Sequence, residues 1–161
     1  MFYLELFAAL DRHRVDYLLI GGLAITLHGI ERATMDVDIA VAMTCENLTA
    51  LVDMAKELGM TPQLPVPLSS LADPDLLARW HGERNLEAFS LRTPELAGVT
   101  LDILLFPPVG YAGMSDRAVI LRPSGVPVRL AAIDDLIALK QAVGRPIDLA
   151  DIEHLRRLRS L

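Results

Sequence analysis

Asp36 and Asp38 flank Val37 in an Asp-x-Asp pair, and the glycine pair Gly21-Gly22 stands upstream of them. In an extended segment alternate side chains share a face, so both carboxylates project to one side while Val37 and Ile39 pack on the other. Neighbouring carboxylates repel unless a cation lies between them, and hard oxygen donors suit Mg²⁺ or Mn²⁺. A glycine turn leaves backbone N–H groups bare for phosphate. Metal and phosphate together mean nucleotide chemistry. A further carboxylate, Asp102, interrupts the apolar run from Val99 to Phe106. A charge buried without a partner costs several kcal/mol, so Asp102 requires compensation. Either an ion pair or backbone hydrogen bond supplies it, or Asp102 joins Asp36 and Asp38 around divalent ions, which lie about 3.5–4 Å apart in two-metal sites.

These residues need elements to hold them. Apolar positions from Phe2 to Leu10 recur at helical spacing, and Tyr17–Ile20 is a short apolar run ending at the glycine pair. Leu23–Leu27 reads as a short helix stopped by Gly29, and Met35–Val41 as the strand carrying the aspartates. Leu48, Leu51, Val52, Ala55 and Leu58 mark a helix over 46–58, closed by Gly59. The prolines between Thr61 and Pro74 predict a loop that could act as a mobile flap. Leu86–Leu91 and Val99–Phe106 read as strands, and Pro123-Ser124-Gly125 joins 119–122 to 126–130 as an edge hairpin. Helices over 133–143 and 148–161 close the chain as a pair. The order predicts an α/β (α+β) fold, a mixed twisted sheet flanked by helices, in a single domain over 1–161.

The chain has 161 residues, is 52% hydrophobic and carries a formal charge of −6, enough apolar content for a compact core. The acidic balance argues against a broad basic surface for duplex binding and requires any nucleic acid to be gripped locally. Cys45 is the single cysteine, so neither a disulfide within the chain nor a thiolate zinc cluster can form. With no membrane-length apolar run and no secretion signal at Met1–Glu5, the expectation is a cytoplasmic protein without a membrane partner. The histidines lack metal-ligand spacing, and Walker, Gly-x-Ser-x-Gly and dinucleotide-binding motifs are absent. His28 suits a helix end, and Trp80 with His81 suits packing at least as well as base stacking.

Gly21-Gly22 followed by Asp36-Val37-Asp38-Ile39 and a later Asp102 resembles the nucleotidyltransferase signature of the DNA polymerase β superfamily. Gly-Gly-x-Ala with His28-Gly29, Arg32 and Thr34 is similar to its small bacterial AbiEii-type branch, many members of which are toxins of toxin–antitoxin pairs. Lys140, Arg145, Asp148 and Asp151 are similar to that branch's closing Lys…Arg-x-x-Asp-x-x-Asp helices. The resemblance touches residues 17–41, 99–106 and 133–158. It implies a nucleotidyltransferase fold and Mg²⁺-dependent transfer of a nucleoside monophosphate from an NTP to a hydroxyl. The acceptor is then a tRNA, a protein or a small molecule, and an antitoxin protein is an implied partner.

The resemblance gives Asp36, Asp38 and Asp102 catalytic and metal-binding roles, and Gly21 and Gly22 the approach to the triphosphate. Arg32, Thr34, Lys140, Asp148 and Asp151 join as nucleotide-binding candidates. Gly22 stands where many relatives have serine. Each secondary candidate also has a plain structural reading. Arg32 is then a solvated charge, Thr34 caps a turn, and Lys140 snorkels to water. Asp148 would be an N-cap with Asp151 three residues on, and Arg156, Arg157 and Arg159 would oppose the last helix's dipole. A degenerate relative that binds nucleotide or a partner protein without turnover is the alternative to an enzyme.

Overall fold

The short apolar runs pair into one seven-stranded sheet. The computed structural model describes residues 2–94 and 99–161; Met1, residues 95–98 and the side chain of Phe2, expected on the first helix's apolar face, lie outside that description. In chain order the first elements are α1 (Phe2–Arg12), β1 (Tyr17–Ile20), α2 (Gly21–Leu27), β2 (Val37–Val41), α3 (Cys45–Glu57) and β3 (Thr61–Pro62). Then follow α4 (Pro74–Arg84), β4 (Ala88–Arg92), β5 (Thr100–Leu104), α5 (Tyr111–Asp116), β6 (Val119–Leu121), β7 (Val128–Leu130), α6 (Ile133–Val143) and α7 (Pro146–Arg159).

The strand order is β3-β4-β5-β2-β1-β7-β6, which puts β2 at the centre. β2 runs antiparallel to β1 and parallel to β5, and β7 runs parallel to β1. The fold is therefore a mixed α/β sheet with helices around it. Leu18, Leu19, Ile39, Phe89 and Ile103 of the strands are fully buried, as are Leu6, Leu10, Leu48, Leu51 and Met54 of the helices. Each such side chain contributes roughly 1.5–3 kcal/mol by leaving water.

Local chemistry sets the boundaries. The Thr44 hydroxyl accepts a hydrogen bond from the Asn47 N–H at 3.1 Å, capping α3, and Gly59 ends that helix region at φ +66°. Asp73 caps α4 by accepting from the Leu76 N–H at 3.1 Å, with Pro74 at the first helical position. Gly144 takes φ +70° after α6 and frees the chain to turn back into α7.

Several expectations need correction. The central strand begins at Val37, so Asp36 precedes the ladder instead of belonging to it. Residues 61–74 are not a free flap. Thr61 and Pro62 pair with β4, the Gln63 N–H donates to the Ser90 carbonyl at 3.0 Å, and Leu68–Ala72 forms a 3-10 turn on α3 with Ser70 and Leu71 buried. Pro62 is tolerated because β3 is an edge strand. The hairpin at Pro123–Gly125 does form, with β6 at the edge, while β7 is sandwiched between β6 and β1. α7 begins at Pro146, so Arg145 is its N-cap and Asp148 lies inside the first turn.

Candidate active site

Three adjacent strands converge at one point. Ile20 of β1 pairs with Asp38 of β2, and Asp38 pairs with Asp102 of β5. Two carboxylates distant in sequence thus stand side by side, directly against the end of β1. There the chain bends sharply: Gly21 has φ +71°, and a Cβ on it would stand 2.9 Å from Asp38 Cβ and Cγ. The Asp38 side chain occupies the space a Cβ would need, and the positive φ disfavours any other residue, so glycine is required twice over. A Cβ on Gly22 would meet Arg32 Nη1 and the Thr34 side chain at 3.2 Å. The Thr34 hydroxyl donates to the Asp36 carbonyl at 3.3 Å, linking the Gly22 surroundings to the aspartate segment.

β5 alternates half-buried Thr100, Asp102 and Leu104 with buried Leu101 and Ile103. Asp102 is therefore not a core charge as its apolar run suggested; it faces a cavity, and the Thr100 hydroxyl donates to its Oδ1 at 3.1 Å. Burial, then the charges of Asp102 and Asp36, push the Asp38 carboxyl up to about 6. A carboxyl raised by burial and by neighbouring carboxylates marks a site with more negative charge than it can readily solvate. The Asp38 and Asp102 donors are hard oxygens, so this site fits Mg²⁺ or Mn²⁺. Asp36 acts on Asp38 through its charge but does not line the cavity. Among the described residues no group of three His, Cys, Asp or Glu side chains is already arranged around a metal position.

The cavity measures about 660 Å³. Gly21, Asp38 and Asp102 form its floor, and α6 covers it with Leu136, Leu139 and Lys140. Its far arm is bounded by His81, Glu87 and Phe106.

The remaining nucleotide-binding candidates engage one another. Lys140 Nζ lies 3.2 Å from Asp148 Oδ1 and 3.3 Å from Asp151 Oδ2. Arg32 Nη1 lies 3.0 Å from Asp151, an ion pair without hydrogen-bond alignment that buries both atoms. Arg145 donates to Asp148 through Nε at 2.8 Å, Nη2 at 3.2 Å and its backbone N–H at 3.1 Å. Hydrogen bonding from Arg145, then from Lys140, holds the Asp148 carboxyl down at about 2, against the opposing pull of burial. Arg32 is thus not a solvated charge, and Lys140 does not snorkel free; its side chain is only 12% exposed. This chain of charges ties the Gly22 bend to the closing helix pair, and of its members Lys140, Arg145 and Asp148 line the cavity.

Sequence reasoning did not name Glu87 or Phe106, raised His81 only with Trp80 for packing or base stacking, and left Arg145 out of the site residues. Arg145 was visible as the arginine of Arg-x-x-Asp; the other three carry no spacing signal, since α4 and the β4–β5 pairing bring them together. His28 caps α2, with its Nε2 donating to the Ala131 carbonyl at 2.8 Å.

This architecture is a nucleotidyltransferase fold, as solved structures of that class show. The solution structure of the antibiotic-resistance factor ANT(2'')-Ia aligns with a TM-score of 0.58 at 17% identity, covering 96% of this chain and 78% of that one. The lincomycin-bound lincosamide antibiotic adenylyltransferase LnuA aligns with a TM-score of 0.58 at 15% identity, covering 92% and 90%. An antigenic nucleotidyltransferase-like protein from Paracoccidioides brasiliensis aligns with a TM-score of 0.56 at 20% identity, covering 97% and 74%. No protein-family profile and no curated protein matches the chain.

Proposed function

We propose that this protein is a nucleotidyltransferase that moves a nucleoside monophosphate from an NTP to a hydroxyl acceptor. The carrying observation is the in-register pairing of Asp38 with Asp102 beside the bare backbone of Gly21. Gly21 and Gly22 offer unshielded N–H groups to the triphosphate, with Lys140 and Arg145 adding positive charge from the roof. Asp38 and Asp102, with Asp36 adjoining, would hold Mg²⁺ or Mn²⁺. When bound, such ions neutralise the charge that develops during phosphoryl transfer. In this reading Asp102 takes the proton of the acceptor hydroxyl as its oxygen bonds to the α-phosphorus and pyrophosphate departs with the electron pair of the broken P–O bond.

The acceptor is a tRNA, a protein or a small molecule. A crystal structure of ANT(2'')-Ia in complex with adenylyl-2''-tobramycin, similar in fold with a TM-score of 0.54, and the lincomycin-bound LnuA structure support the last of these. The Arg32-Ala33-Thr34 segment and the Lys140…Asp151 tail support assignment to the AbiEii-type branch, and with it a cytoplasmic toxin countered by an antitoxin. Among the described residues no helix is long and apolar enough to cross a membrane. Growth arrest on expression, lost in Asp38→Ala, checks the toxin role.

Incubation with each α-labelled NTP, Mg²⁺ and cell extract tests the enzyme: label on an acceptor, absent in Asp38→Ala, is the expected result. A second reading, a nucleotide- or partner-binding protein without turnover, is favoured by the position of Asp36 outside the cavity lining. NTP binding with no transfer to any acceptor would establish it.

A further inference from the structure

The sheet ends differently at its two edges. Edge strands are blunted by charge, proline, bulges or shortness, because their free N–H and C=O groups invite another strand. At one edge β3 carries Pro62. At the other, β6 reads Val-Ile-Leu, pairs with β7 in unbroken register and has only its three-residue length to protect it. Its apolar side chains are left open to water: Ile120 is 54% exposed and Val119 39%. The outer side of this strand is thus a pairing template without a charge of its own.

Ile120 stands directly opposite Arg129, so both project from one face of the sheet. That face borders a cavity of about 640 Å³ at the end of β1 away from Gly21, lined by Ile120 together with Asp11, Arg14, Asp16, Arg122 and Arg129. Arg129 is committed: it pairs with Asp16 at 3.1 Å and donates to the Ser115 hydroxyl at 3.0 Å. Arg14 and Arg122 have no side-chain hydrogen bond or ion pair among the described residues. Arg14 also sits in the turn after α1 at φ +55°, a left-handed position that glycine normally fills. Backbone strain is therefore kept at a residue whose side chain reaches the cavity. In a chain of net charge −6, two uncommitted arginines here face one uncommitted acid, Asp11.

We propose that β6 and this cavity form a docking groove for an extended acidic segment of a partner protein. The segment adds beside β6 as a further strand, its backbone bonding the free edge, its carboxylates pairing with Arg14 and Arg122, and its apolar side chains lying on Ile120. Charge complementarity selects this occupant. Phosphate groups of a nucleic acid would be repelled by Asp11 and Asp16 in the same lining, whereas a peptide also brings N–H donors to them. Two copies of this chain joined at β6 would leave the arginines without acids, since residues 117–122 hold no carboxylate. Docking at this edge is independent of the nucleotidyl-transfer reading.

The test selects displayed random peptides on the full chain. Selected peptides are expected to alternate acidic with apolar residues, and methylation of their backbone nitrogens is expected to abolish binding. Amide exchange at Val119–Leu121 is expected to slow in the complex. Arg14→Gly, which suits the left-handed turn, is expected to hold or raise the melting temperature while weakening peptide binding about two- to fivefold, the scale of an exposed ion pair. Arg122→Glu is expected to weaken it further. Selection of no peptide, of peptides without acidic residues, or of peptides that bind both variants as tightly overturns the proposal, as does unchanged exchange in β6. Dimerisation of the chain alone that slows exchange at β6 assigns the edge to a second copy and overturns it too.

Discussion

Gly21 and Asp38 constrain each other more tightly than any other residues in the site, because the carboxylate occupies the space where a Cβ would go. Gly21→Ala must move either the bend or Asp38, and transfer is expected to fall by about 10–100-fold, comparable to losing the support of a metal ligand. Gly29→Ala is the control: its φ is also positive, at +112°, but no atom lies near its missing Cβ. It should cost about 1–3 kcal/mol of backbone strain with turnover preserved, as comparison of melting curves with rates will show. Asp38 also makes stability depend on pH. Its folded value of about 6 lies above the ordinary 3.8, so its contribution is complete below about pH 4 and is lost as pH rises through 6. The metal-free unfolding free energy should decline across that window by an amount on the order of 3 kcal/mol, and Asp38→Asn should flatten the decline. Added Mg²⁺ or Mn²⁺ should restore stability above pH 6. The Asp-x-Asp pair and the glycine bend were legible in the sequence because alternation and φ freedom are local properties. The departure of Asp36 from the strand was not, since the ladder's first residue is set by its partners on β5.

Among the elements, α6 and α7 act as one unit through Lys140, Asp148 and Asp151. The pair was legible from its helical periodicity and the Gly144-Arg145-Pro146 break. The partners of its charges were not, because Arg32 arrives from more than a hundred residues away. Asp148, held at about 2, stabilises the fold above about pH 4, and that contribution disappears as pH falls from 4 toward 2. Asp148→Asn leaves Lys140 and Arg145 short of a partner and should cost about 3 kcal/mol at neutral pH, with a shallower acid-unfolding slope. Urea titrations at pH 7 and pH 3 measure both effects. The 61–74 segment makes the opposite point: its prolines correctly ruled out a long ladder, but Leu71 buries itself on α3 through spacing no short-range rule detects. Leu71→Ala should destabilise by about 2–5 kcal/mol while leaving transfer by the folded protein unchanged. Slow amide exchange in 68–72 would agree with that packing, and exchange as fast as in an open loop would contradict it.

For the molecule as a whole, the site is a product of sheet topology. Fold class followed from the order of apolar runs and breaks, each a local signal. The cavity did not, because its arm needs α4 delivered beside the end of β5 by the β4–β5 pairing. The strands carrying Asp38 and Asp102 are neighbours in the sheet but lie roughly sixty residues apart along the polypeptide, with α3, β3, α4 and β4 between them. Closing so long a loop is among the slower events of folding. On the proposed nucleotidyl-transfer reading, catalytic competence then works as a clock for assembly. In refolding from denaturant, helix signals should return first and transfer activity last, in step with burial of Ile103 and Phe89, so newly made or heat-stressed chains pass through a compact interval in which they are chemically silent.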